Sequence, residues 1–168
     1  MFGGSYVHTV DEAGRFVMPG TFRMSLGLKF IITKGVGCLC VFHNDTAAEL
    51  ERQLGELGNT LKVLLDPNVA RLHRHFFSGK VEAGSANKQF RVQLTPEHRK
   101  YAGITDEVVI RGCGHFIELW NPQALAEYEA HNDRPEDLIA AGAALLAADN
   151  RRTAGEDDAA LPQPGPSE

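Results

Sequence analysis

The strongest constraint on what this chain can fold into is that its first half recurs in its second. An offset of 76 residues lays Asp11 on Asn87, Arg15 on Arg91, Arg23 on Arg99 and Gly27 on Gly103. After a one-residue insertion, an offset of 77 lays Gly35 on Gly112 and Gly37 on Gly114. Local signals recur in the same order. "YVHTV" alternates and is rich in β-formers, "DEAG" is turn chemistry, and "RFVM" resumes the strand before Pro19. "KFIITKGVGCLCVF" (29–42) then reads as two strands around a glycine turn. The second copy follows the same plan in "GKVEAGSANKQFRVQL" (79–94) and "EVVIRGCGHFIELW" (107–120).

A copy of roughly 45 residues is too small to bury a core of its own, because surface dominates volume at that size. Two copies in one chain can interlock their strands into one small closed barrel, which also removes exposed strand edges. The expected fold is therefore mainly β with peripheral α-helices, built from two pseudo-repeated half-domains.

Between the copies the period changes to helical. Asn44 and Asp45 are N-cap residues, and Leu50, Leu54, Leu57 and Leu61 recur on one helix face. Asp66 caps a second helix with Pro67 at its first position, where Val69, Leu72 and Phe76 share a face. Asn121-Pro122 opens another helix, and "PEDLIAAGAALLAAD" can form one more. The expected boundaries are a first half-domain over 5–48, a helical connector over 49–78, a second half-domain over 79–122 and a C-terminal helical region over 123–148. Residues 149–168 are acidic and rich in Pro and Gly, and are expected to be disordered.

The formal charge of -5 is unevenly spread. Nine acidic and three basic residues lie between Glu129 and Glu168, which leaves residues 1–128 near neutral. Such a body still binds phosphates where its bases cluster. No apolar run approaches the roughly 20 residues of a membrane span. The start lacks a signal peptide's basic and apolar regions, so a cytoplasmic location is expected. Cys38, Cys40 and Cys113 are an odd set without a secretion signal and are expected to be free thiols. His73 and His75 are two apart, the wrong spacing for a helix metal site. Cys113 and His115 lack a third orienting group, and neither "GVG" nor "GCG" opens a phosphate-binding helix, so no catalysis is expected.

The repeated turn is the candidate site. Asp11 can accept hydrogen bonds from the turn's backbone, Gly14 can take a positive φ, and Arg15 follows where a long side chain projects. Arginine's planar fork suits phosphates and guanine edges. An equally good physical reading is a solvated Asp11–Arg15 pair worth at most about 1 kcal/mol.

"MFGGSYVHTVDEAGRFVMPGTFR", the central "RLHRHFFSG" and "TPEHRKYAGITDEVVIRGCGHFIELWN" resemble the MraZ family of bacterial transcriptional regulators. The similarity runs in order, with the family's spacing, over residues 1–128 or so. The D-x-x-G-R motif alone is weak, but with "YAGI" (101–104) and "FIELW" (116–120) it is specific.

The resemblance implies two SpoVT-AbrB-like half-domains, of the kind in AbrB-like and MazE-like regulators, folded as a swapped-hairpin β-barrel. It implies a repressor that binds double-stranded DNA at direct repeats upstream of its own division and cell-wall gene cluster. It implies a nucleoid-associated, ring-shaped homo-oligomer with no cofactor. The family's DNA-contacting arginines map to Arg15 and Arg91, with Asp11 and Gly14 in the first turn and Asn87 and Lys88 in the second. This chain departs from the pattern in that second turn, where Asn87 replaces Asp and Phe90 replaces Gly. Asn keeps an Asx-type turn, whereas a bulky residue resists positive φ. The second turn is thus expected to differ in shape, with Phe90 exposed. The alternative function is an antitoxin-like protein-interaction module with reduced DNA binding.

Overall fold

The computed structural model describes residues 1–56, 60–84 and 89–157. The first half runs β1 (Ser5–Thr9), β2 (Arg15–Val17), α1 (Gly20–Leu26), β3 (Lys29–Lys34) and β4 (Leu39–His43). The connector is helical: α2 (Asn44–Glu56), α3 (Thr60–Leu65) and α4 (Pro67–Ser78). The second half repeats the order as β5 (Val81–Gly84), β6 (Arg91–Gln93), α5 (Pro96–Ala102), β7 (Glu107–Gly112) and β8 (Ile117–Trp120). Then come α6 (Pro122–Asn132) and α7 (Pro135–Asp157). Residues 1–125 form one compact unit, and a second begins at Ala126 and contains α7.

The two halves exchange strands. β1 pairs with β7, β5 with β3, β4 with β8 and β2 with β6, all antiparallel and all between halves. The hairpins β3–β4 and β7–β8 lie within a half. Interchanging the halves leaves this pairing scheme unchanged, which is the signature of a pseudo-twofold axis. The axis passes where equivalent residues face each other: Phe16 opposite Val92, and Cys40 opposite Glu118. These partners are 76 and 78 residues apart, so the strands of the later part follow an offset of 78, not the 77 of the loop glycines.

The expected closed barrel is not what these hydrogen bonds form. β1 and β5 are the edges of a six-stranded sheet ordered β1-β7-β8-β4-β3-β5, and β2 and β6 make a separate two-stranded ribbon. The Asp11–Arg15 turn lies between β1, an edge of the six-stranded sheet, and β2, a strand of the separate ribbon. Helical residues also outnumber strand residues among those described, because the strands are short and the connector and C-terminal helices are long.

α1 and α5 are helices beyond those expected from the sequence. In α5 the local code is complete: Thr95 accepts from the His98 amide at 3.1 Å, Pro96 opens the helix, and Gly103 closes it with φ 64°. The capped start of α4 is as expected, with Asp66 accepting from the Asn68 and Val69 amides. The connector holds three helices, not two. On α4 the buried residues are Ala70 and Phe76, while Leu72 is exposed. Leu57 and the side chain of Leu61 lie outside the described residues, and α7 continues to Asp157, past the expected end at 148.

One core unites the halves. Phe16, Phe30, Ile32, Leu39 and Val41 meet Val92, Ile110, Ile117 and Leu119. These are alternate strand residues, which point to the same side of a pleated sheet. β3 is buried on both faces: Ile31 packs outward on Phe42, Ala47, Leu54 and Phe76, under α2 and α4. The Thr33 hydroxyl donates to the Phe76 carbonyl at 2.5 Å.

Candidate nucleic-acid interface

The β2–β6 ribbon has one dry face and one wet face. Phe16 and Val92 point into the core, and full burial of such a side chain stabilises by about 1.5–3 kcal/mol. Their neighbours on the strands therefore point outward: Arg15 opposite Gln93, and Val17 opposite Arg91. Arg15 and Arg91 sit on the diagonal of this outer face, where strand geometry sets Cα atoms about 7–8 Å apart. Both are exposed, and both border a shallow depression of about 220 Å³ with Asp11 and Val17. Two guanidinium forks related by the pseudo-twofold thus share one open surface.

The first turn is locked from within. The Asp11 amide donates to the Arg15 carbonyl at 2.9 Å, and the Gly14 amide to the Asp11 carbonyl at 2.8 Å. The Asp11 carboxylate accepts from the Arg15 backbone N–H and from its Nε, both at 2.8 Å. The backbone N–H of Arg15, and then its guanidinium, hold the Asp11 carboxyl below its usual value. The pairing uses Nε, one of five guanidinium N–H donors, and leaves the Arg15 side chain 47% exposed. The structural pair and an outward-facing arginine are thus compatible.

Phe90 corrects two expectations, that it avoids positive φ and that it is exposed. Phe90 adopts φ 55°, the left-handed region that Gly14 occupies at 77°. It is also buried, with 9% exposure, in the central core. The Met18 amide donates to the Phe90 carbonyl at 3.1 Å, just as the Leu94 amide donates to the Gly14 carbonyl at 2.9 Å. The backbone path beside the ribbon is preserved, and core packing holds a bulky residue where glycine is ordinarily preferred. Asn87 and Lys88 lie outside the described residues.

Two arginines that the sequence reading aligned but did not assign to the site lie against these turns. Arg99 of α5 donates from Nη1 to the Glu12 carbonyl at 3.2 Å, and its Cδ lies 2.8 Å from where a Gly14 Cβ would stand. Arg23 of α1 donates from Nε to the Met18 carbonyl at 2.9 Å, with its guanidinium carbon 5.8 Å from the Phe90 ring centre. The signal was present in the repeat, which places an arginine in each half at the same offset.

A family model described as "MraZ protein, putative antitoxin-like" matches residues 1–62 and 84–148. The chain belongs to the MraZ family. A relative named "Transcriptional regulator MraZ" from Moorella thermoacetica is 38% identical over 129 residues, covering 76% of this chain and 86% of the relative. The protein of the same name from Acetivibrio thermocellus is 35% identical over 147 residues, covering 87% and 99%. That from Halothermothrix orenii is 36% identical over 143 residues, covering 84% and 96%.

Other candidates in this MraZ-family chain have structural roles. His73 and His75 bond through Nε2 to the carbonyls of Leu54 and Gly35, at 3.0 and 2.8 Å. Among the described residues no group of three or more His, Cys, Asp or Glu is arranged to hold a metal ion. Cys38 is buried, and Cys40 and Cys113 are half-buried free thiols. Burial, with the nearby Glu118, pushes the Cys113 thiol up to about 11, the opposite of an activated nucleophile. Among the described residues no helix is long and apolar enough to cross a membrane.

Proposed function

We propose that this protein is a sequence-specific DNA-binding transcriptional regulator, with the β2–β6 ribbon as its reading surface. The observation that carries the proposal is the diagonal placement of Arg15 and Arg91 on the ribbon's exposed face. The major groove of B-DNA is about 12 Å wide and admits a two-stranded ribbon, and arginine pairs bidentately with guanine O6 and N7. The relatives' name, transcriptional regulator, supports a regulatory role. In the finer reading, the strand exchange is the swapped-hairpin architecture of AbrB-like regulators. The protein then represses its own division and cell-wall gene cluster from the nucleoid, and a ring of copies engages tandem promoter repeats. Linking weak contacts in this way strengthens binding by about 100-fold or more where spacing matches.

Fluorescence anisotropy with a DNA fragment from upstream of its own gene tests this against a scrambled fragment at two salt concentrations. Selective binding is expected, with log affinity falling by about 0.9 per phosphate contact per log unit of salt. Arg15→Ala and Arg91→Ala should each abolish selectivity while leaving the assembly intact. Equal affinity for both fragments overturns the proposal. It favours the protein-interaction reading, for which the Asp11–Arg15 pair is only a structural clasp.

A further inference from the structure

The β2–β6 ribbon is flanked by two turns, and neither is supported only by its own half. The residue in the left-handed position of the first turn, Gly14, lies under the stem of Arg99, which belongs to the second half. The residue in the left-handed position of the second turn, Phe90, lies under the guanidinium of Arg23, which belongs to the first. Gly14 and Phe90 are 76 residues apart, as are Arg23 and Arg99. The bracing is therefore crossed and obeys the same pseudo-twofold as the strands.

We propose that Arg99 and Arg23 are positioning residues for the two DNA-facing turns, each holding the turn of the opposite half, with Arg99 the stronger brace. The asymmetry follows from the bonds. Arg99 donates directly to the first turn's backbone at Glu12 O, whereas among the described residues Arg23 donates to Met18 O and meets the second turn through the Phe90 ring. The first turn needs more help. Gly14 has no side chain to anchor it in the core, and glycine loses the most conformational freedom on ordering. Phe90 anchors the second turn by its own burial. Arg99 thereby acts through Arg15: it fixes the loop from which Arg15 projects.

The affinity part of the test rests on the DNA-binding reading, and amide exchange in the free protein does not. Arg99→Met keeps the stem over Gly14 and removes the guanidinium. It should speed hydrogen exchange at the Gly14 and Arg15 amides while leaving those of β7 and β8 unchanged. DNA affinity should fall about tenfold, the equivalent of one net hydrogen bond lost. The salt slope should stay the same, because the contacts to phosphate are still made. Arg99→Lys keeps the charge without the planar fork and should not restore protection. Arg23→Met should have a smaller effect on both readouts.

If Arg99→Met lowers the salt slope by about 0.9 with unchanged exchange, Arg99 is a direct phosphate contact and the proposal fails. Unchanged exchange in both methionine variants also overturns it. Faster exchange in a protein that shows no DNA selectivity would support the brace and reject the DNA reading alone.

Discussion

Phe90 occupies in the second turn the position that Gly14 occupies in the first, with φ 55° against 77° and the same carbonyl bond to the opposite half. A left-handed conformation costs an ordinary residue roughly 1–2 kcal/mol, and glycine almost nothing. Phe90→Ala should destabilise the protein by about 3–5 kcal/mol, since it removes a buried ring and keeps the backbone cost. Phe90→Gly removes the same ring but relieves the backbone. The glycine variant should therefore be the more stable of the two, the reverse of the usual order. Urea midpoints of the two variants decide this, and an alanine variant at least as stable would contradict the φ seen here.

Gly14→Ala places a Cβ 2.8 Å from Arg99 Cδ and 3.1 Å from the Leu94 carbonyl, at a φ of 77°. The flexible arginine stem can yield, but the Leu94 carbonyl belongs to backbone that continues β6. The backbone cost alone is about 1–2 kcal/mol. At roughly 2–4 °C per kcal/mol for a chain of this size, thermal unfolding should begin several degrees earlier. Displacing the Arg99 stem should weaken DNA binding in the same variant. A melting temperature equal to wild type would argue against the turn geometry.

Asp11 ties acidity to turn order. Its carboxyl is held below 3.8 chiefly by the Arg15 backbone N–H and secondarily by the guanidinium. A carboxyl depressed in the folded state contributes stability above its unfolded pKa and loses it as pH falls through the folded pKa. In an NMR titration, the Asp11 midpoint should thus lie below 3.8. Arg15→Ala should raise it only part-way, because the backbone donor survives. A full return to 3.8 would mean that the side-chain pair, not the backbone bond, dominates.

The cap of α5 reaches the same site. Thr95→Ala removes the acceptor of the His98 amide and should cost about 1 kcal/mol. Since α5 carries Arg99, amide exchange at the first turn should quicken as well. α1 has no side-chain cap at Pro19, so the two helices differ in their sensitivity to cap substitutions. A Thr95→Ala protein with wild-type stability would show the bond to be energetically idle.

What the sequence determined on its own was local or periodic. Strand alternation, the D-E-A-G-R turn, the caps at Asp66 and Asn121 and the 76-residue repeat all depend on residues a few positions apart, or on direct comparison of two stretches. The helix of α5 is equally legible in Thr95, Pro96 and Gly103, although its seven residues are too few for a helical period to show between strand patterns.

The tertiary structure decided how the copies meet. The repeat already pointed to interlocked strands, but which strands pair, the open sheet and the departure of the ribbon depend on pairings such as Phe16 with Val92 and Tyr6 with Ile110, which no local signal encodes. It also decided that Phe90 is buried at positive φ and that Arg99 crosses to Glu12. Local propensity disfavours the first and is silent on the second. The first arises because the two halves share one core, whose packing outweighs the roughly 1–2 kcal/mol by which a single backbone position resists. The second arises because the same pairing of halves sets α5 against the first turn.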